Sequence, residues 1–276
     1  MSKINRYRER SDHNNGPVLM KLNFNQQGQP QGTAPAVILL HGLFGSLSNL
    51  AGIAKALSDS FCVYQLDLRN HGASPHDDSM TYPDMANDIV EFMNDHGIEH
   101  AHILSHSMGG KVAMQLALNY PQRINKLIIA DIAPVTYPRQ HNPVLDGLQL
   151  LKQSTIESRK QADELLIPYV NEAPVRAFLL KNLVRTVSSN YNLRLNVSAI
   201  VSNYPSLAAA PTGTPFTGPT LFLKGSESAY IQNKHKDDIQ QLFPEAKIKV
   251  INGTGHWLHS EKPDTFNLLV KQFLNN

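Results

Sequence analysis

The sequence predicts an α/β fold with a mostly parallel central sheet, flanked by helices and interrupted by a helical insertion. Three observations carry this. From residue 18 to about 132, short apolar runs of β character alternate with helix-patterned segments, the signature of βαβ units. From Ala133 to about Pro219 the pattern is helical with little strand character. Two further strand-like runs and a closing amphipathic helix complete the chain.

Taken in order, Val18 to Phe24, containing MKLNF, is the first expected strand. Ala36 to Leu40 is a continuous apolar run, which suits a central strand covered on both faces. Phe61 to Leu66, Ala101 to Leu104 and Leu127 to Ala130 are the next strands. Between them, Leu47 to Ser58 carries Leu50, Ile53, Ala54 and Leu57 at helical spacing, and Tyr82 to His96 places Met85, Ile89, Phe92 and Met93 on one face. Lys111 to Tyr120 is the helix after the fourth strand. In the insertion, helices are expected at Val144 to Lys152, Arg159 to Val170, Pro174 to Val184 and Val197 to Tyr204, with Pro143 and Pro174 where first-turn prolines are tolerated. Ala208 to Pro219, rich in Ala, Pro, Gly and Thr, reads as the linker back to the sheet. Strands at Thr220 to Lys224 and Lys247 to Ile251 flank a helix around Asp237 to Leu242, and Pro263 to Leu274 closes the chain. The expected organisation is a core of residues 17–132 and 220–276, a helical cap and linker over 133–219, and a mobile extension over 1–16.

Composition narrows the function. With 276 residues, 41% of them hydrophobic, the chain can bury an enzyme-sized core. Lys and Arg number 25 against 23 for Asp and Glu and form no basic run, so no nucleic-acid partner is expected. Cys62 is the single cysteine, which excludes an intramolecular disulfide, and its apolar neighbours assign it to packing. The polar first residues lack an apolar leader and no run is long enough for a membrane span, so the expected setting is cytoplasmic.

The segment Ser105-His106-Ser107-Met108-Gly109-Gly110 follows a strand and opens a helix, the context of a nucleophile elbow. The elbow needs small residues two positions either side of the serine, because the strained turn brings neighbouring backbone close. Gly109 meets this, and Ser105 stands where the leading glycine is usual. Ser107 is therefore the expected nucleophile. His41-Gly42-Leu43-Phe44-Gly45 ends the apolar second strand and is the expected oxyanion loop, with Met108 N–H as first donor and Leu43 N–H, ahead of Phe44, as second. His41 itself is expected to be hydrogen-bonded inside the fold. Gly253-Thr254-Gly255-His256-Trp257 follows the last strand, and His256 is the one histidine of 12 placed to take the serine proton.

The carboxylate partner has more than one candidate. In folds with a nucleophile elbow it usually follows the last strand but one, where after Thr220 to Lys224 this chain has Ser226-Glu227-Ser228, with Ser228 in the aspartate position. Asp131, directly after the Leu127 to Ala130 strand, is the leading replacement, and the chain order Ser, Asp, His fits. Ser228 is the alternative or shared partner of His256, and Glu227 ranks third.

Leu-His-Gly-Leu-Phe-Gly-Ser, Asp67-Leu-Arg69-Asn70-His71-Gly72, His106-Ser107-Met108-Gly109-Gly110-Lys111, Asp131-Ile-Ala-Pro and Gly255-His256-Trp257 occur in that order. In these motifs, from about Lys21 to Leu274, the chain resembles the YbfF-like bacterial esterases of the α/β-hydrolase superfamily. The resemblance implies an esterase or thioesterase acting on short acyl groups of a small-molecule substrate, a helical cap over the pocket and an interest in acyl-coenzyme A. It carries the nucleophile onto Ser107 and the base onto His256, and it supports both Ser228 and Asp131. No cofactor or metal is implied. Lys111 is expected to be structural, with attraction of an anionic substrate group as its other reading. Carbon–carbon bond hydrolysis or an elimination on the same fold, and a non-catalytic ligand-binding protein, are the competing functions.

Overall fold

The structure, a computed structural model, describes residues 20–138, 142–187 and 189–276, so the extension expected over residues 1–16 lies outside it. In chain order its first half comprises β1 (Phe24–Gly28), β2 (Ala36–Leu40), α1 (Ala51–Leu57), β3 (Cys62–Leu66), α2 (Tyr82–Asp95), β4 (Ala101–His106), α3 (Met108–Asn119) and β5 (Ile124–Ala130). The insertion holds α4 (Pro143–Gln153), α5 (Arg159–Leu166), α6 (Ala173–Leu180), β6 (Leu183–Arg185), β7 (Tyr191–Leu193) and α7 (Val197–Ala208). The chain ends with β8 (Thr220–Gly225), α8 (Lys236–Leu242), β9 (Ala246–Ile251), α9 (Leu258–Glu261) and α10 (Pro263–Asn275). Among the described residues no helix is long and apolar enough to cross a membrane.

Seven strands form one sheet in the order β1-β3-β2-β4-β5-β8-β9, parallel throughout except for the antiparallel edge strand β1. The central strands are apolar on both faces because both are covered. Ile38, Leu40, Tyr64 and Ile129 share a core with α2 and α3, while Val37, Leu39, Val63 and Ile128 face α1 and α10. Each such Val, Leu or Ile contributes about 1.5–3 kcal/mol by leaving water. The chain steps from β2 outward to β3 and then crosses to β4 on the other side of β2. The strand order thus reverses at β2, and in open α/β sheets ligands bind outside the carboxyl ends at such a point.

The first strand differs from expectation. Met20 and Leu22 are buried, but pairing begins only at Phe24, and β1 reads FNQQG. The alternation of Met20, Leu22 and Phe24 signalled burial rather than ladder position. Asn25 and Gln27 instead donate to the Oε1 of Gln65 across the strand pair, so polar side chains secure this edge. The insertion differs too. The helix expected over Pro174 to Val184 stops at Leu180, and Leu183–Arg185 pairs antiparallel with Tyr191–Leu193. The helix expected over Arg159 to Val170 ends at Leu166, and that over Val197 to Tyr204 continues through Pro205 to Ala208.

Candidate active site

Strand register builds the site. Leu40 lies beside Ser105, His106 beside Ala130, and Ala130 beside Leu223, so the residues just beyond β2, β4, β5 and β8 form one row at the sheet's carboxyl edge. Ser107 occupies the turn between β4 and α3 at φ 54°, ψ −121°, a region costing about 1–3 kcal/mol for a residue with a side chain. Two neighbours explain how the turn fits. A Cβ on Gly109 would lie 2.5 Å from the carbonyl oxygens of Leu40 and His41, so only glycine lets α3 approach β2. Ser105 is fully buried, and its hydroxyl donates to Ile128 O at 3.0 Å, so a hydroxymethyl group is accommodated where the leading glycine is usual.

His256 Nε2 stands 2.9 Å from Ser107 Oγ, and Nδ1 stands 2.8 Å from Asp131 Oδ2. Asp131, fully buried, follows β5 at φ 53°, and its N–H donates to Leu223 O at 2.9 Å. Its Oδ1 receives Gly225 N–H at 3.2 Å, while Oδ2 also receives the Ser228 hydroxyl. Ser228 thus reaches the carboxylate, with no hydrogen bond to the imidazole. The His256 loop is held from several sides. Glu261 accepts the N–H groups of Gly255 at 2.7 Å and Trp257 at 3.1 Å, His106 Nε2 donates to His256 O at 2.8 Å, and Tyr230 stacks on the imidazole with ring centroids 4.1 Å apart.

Met108 N–H opens α3 and, like the first amides of any helix, has no partner within it. In the neighbouring loop, a Cβ on Gly42 would lie 3.1 Å from Ser107 Cβ, so this turn runs directly against the serine. Phe44 N–H is taken by His71 Nε2 at 3.2 Å, whereas Leu43 N–H meets no acceptor among the described residues.

The surrounding imidazoles are neutral. Burial lowers His41 to about 4, and burial with the adjacent His41 lowers His71 to about 3. Burial beside other histidines holds His106 well below the usual value and lowers His259 to about 4. Their tautomers follow from their partners. His41 gives Nδ1–H to Gly42 O at 2.8 Å and accepts Leu68 N–H at Nε2, at 3.1 Å. Lys111 is buried and does not line the serine. Its Nζ donates to the carbonyls of Val135, Ala208 and Ala209, at the two places where the chain leaves and re-enters the core, and burial lowers it to about 7.

Sequence reasoning missed Tyr230, Glu261 and the part played by His71. His71 stood within the motif Asp67 to Gly72, a signal that had no role attached. Tyr230 is brought in by the loop after β8, whose path no local pattern encodes, and Glu261 turns back from the end of α9 onto the residues just before it.

A hydroxyl, an imidazole and a buried carboxylate in hydrogen-bonded sequence at the carboxyl edge of this sheet define an α/β hydrolase. The family model described as alpha/beta hydrolase fold matches residues 35–263. Esterase YbfF of Escherichia coli is 38% identical over 93% of this chain and 100% of its own length. The mouse "sn-1-specific diacylglycerol lipase ABHD11" is 39% identical over 88% of this chain and 81% of its own. A solved structure titled "Marine microorganism esterase" superposes with a TM-score of 0.88 at 38% identity, covering 92% of this chain and 99% of the other. The chain belongs to the α/β-hydrolase fold family and, within it, to the YbfF-like esterases. It is a carboxylic ester hydrolase with small-molecule ester substrates.

Proposed function

We propose that the protein cleaves carboxylic esters and thioesters with short acyl chains through an acyl-enzyme on Ser107, with His256 as general base and Asp131 orienting it. The observation that carries this reading is the unbroken path from Ser107 Oγ to His256, 2.9 Å, and from His256 to Asp131, 2.8 Å. Ser107 Oγ bonds to the substrate carbonyl carbon as its proton passes to Nε2. The oxyanion forms toward the N–H groups of Met108 and Leu43. Its collapse breaks the C–O or C–S bond, and Nε2 returns the proton to the leaving alkoxide or thiolate. Water, deprotonated by the same nitrogen, then releases the acid and regenerates Ser107.

Residues 133–219 act in this reading as a cap over the pocket. Phe178 of α6 meets Trp257 at 6.0 Å between ring centroids, and Trp257 and Tyr230 in turn flank the imidazole, which in this reading favours short acyl groups. The name of the mouse relative supplies the contrasting substrate, a diacylglycerol ester. An acyl-coenzyme A thioester is the physiological form that the likeness to the bacterial esterases brings forward.

The test is pre-steady-state hydrolysis of p-nitrophenyl acetate and butyrate. A burst stoichiometric with enzyme, with the acyl group found on the Ser107 peptide by mass spectrometry, is expected. Full turnover by Ser107→Ala overturns the reading, and faster cleavage of a long-chain diacylglycerol than of butyrate overturns its short-chain part.

A further inference from the structure

Resting on that reading, we propose that Asn182, in the helical insertion, is a positioning residue for the oxyanion donor Leu43, so that the oxyanion site is complete only when the insertion is seated on the core. The argument begins at Phe44. It lies in the tight turn closed by Gly45 N–H on Gly42 O at 3.0 Å, and it adopts φ 62° although it carries a bulky side chain. That conformation is unfavourable for phenylalanine and persists only where the surroundings enforce it.

Two side chains enforce it, from opposite parts of the molecule. His71, in the core, accepts Phe44 N–H at 3.2 Å. Asn182, just beyond α6, donates Nδ2–H to Phe44 O at 2.8 Å and to Leu179 O at 3.0 Å. Asn182 is only 3% exposed, and its own carbonyl receives Arg194 N–H at 3.0 Å, so the amide sits in a fixed frame supplied by the insertion.

The turn's other half presents the donor. Gly42 O is held by His41 Nδ1–H and by Gly45 N–H, and the peptide to Leu43 is trans, so Leu43 N–H is directed away from those partners. If Phe44 relaxed to negative φ, the Leu43–Phe44 peptide would flip and the turn would pass to type I, Phe44 N–H would leave His71, and the aim of Leu43 N–H would rest on the bonds to Gly42 O alone. Other contacts tie the insertion to the core, including Asn196 Nδ2 on Asn70 Oδ1 at 3.0 Å, but among the described residues the Asn182 bond is the one that falls on the oxyanion turn.

The experiment compares Asn182→Leu, which keeps volume and removes the donor, with wild type, in both the Phe44 and the Phe44→Gly backgrounds. Expected is a fall in kcat of about 10- to 100-fold with KM within about twofold, since a misaimed oxyanion donor acts on the transition state. Affinity for a trifluoromethyl ketone, which forms an oxyanion adduct on the serine, falls in parallel. In the Phe44→Gly background the same substitution costs far less, because glycine takes positive φ without help. A merely structural asparagine would give equal losses in both backgrounds, and that result, or unchanged kcat and ketone affinity, overturns the proposal. Should Asn182→Leu not fold, hydrogen exchange on wild type decides: the ketone must slow exchange in residues 179–185 as well as 42–46, and protection confined to 42–46 overturns it. Absence of an acyl-enzyme burst in wild type would instead strike the underlying functional reading.

Discussion

Ser228 donates its hydroxyl hydrogen to Oδ2 of Asp131, the same oxygen that receives Nδ1–H of His256 at 2.8 Å. Two residues that compete for one role in the sequence therefore stand in series, hydroxyl to carboxylate to imidazole. Ser228 in turn accepts Tyr230 N–H at 3.2 Å, and the Tyr230 ring stacks on His256. Each loop around the imidazole is thus tied to the next through Asp131.

This series orders the effects of substitution. Asp131→Asn keeps the shape but presents an amide to Nδ1, which favours the wrong imidazole tautomer, and a loss of about 10³- to 10⁴-fold in kcat is expected. Ser228→Ala removes one of three donors to the carboxylate and leaves the bond to His256 in place, so a loss of about 10-fold or less is expected. Initial rates on p-nitrophenyl butyrate measure both. A greater loss from Ser228→Ala than from Asp131→Asn would transfer the orienting role to the hydroxyl.

Acid should unfold this protein steeply, through its histidines. Burial lowers His41, His102 and His259 to about 4, His71 to about 3 and His106 well below 6.5. In the unfolded chain all five titrate near the ordinary value of about 6.5. As pH falls from about 6.5 to 4, the unfolded state therefore binds more protons than the folded one, and stability is lost across that window. Urea unfolding at about pH 7, 6 and 5 should show proton uptake approaching five per molecule from these residues. His102, whose Nδ1 has no hydrogen-bond partner and whose ring meets Phe61 edge-on, provides the control. In His102→Phe the uptake should fall by about one, and an unchanged slope would show that His102 is not held neutral.

The legible parts of the fold and site were those encoded locally. The run Ala36–Leu40 announces a strand covered on both faces, and Ser107 stands between a strand and a helix with Gly109 where α3 meets β2. Asp131 and His256 follow strand ends, so their edge of the sheet could be read, although their 2.8 Å contact depends on strand order and register. Illegible parts depend on tertiary pairing. The polar stretch Phe24–Gly28 becomes a strand because Gln65 lies opposite it, and the Leu183–Arg185 hairpin arises where helix propensity would have continued α6. Asn182 acts on a backbone carbonyl 138 residues away, and no periodicity marks such a contact.

Lys111 carries the last prediction. Its Nζ joins Val135 O, where the chain leaves the core, to Ala208 O and Ala209 O at the end of α7, and lies 4.8 Å from the Tyr137 ring centre. Three acceptors matched to three ammonium hydrogens satisfy the group, yet burial still lowers it to about 7. The unfolded lysine keeps its proton to about 10.4. Between these values the unfolded state holds more protons than the folded state, so the contribution of Lys111 to stability is least favourable below about pH 7 and improves as pH rises. Lys111→Met keeps the apolar stem, removes this titration and leaves three carbonyls without a donor. Urea unfolding of both proteins at about pH 6, 7.5 and 9 should show wild type gaining on the variant as pH rises. A difference that stays constant with pH would mean that the ammonium remains charged throughout, with the three carbonyls outweighing its desolvation.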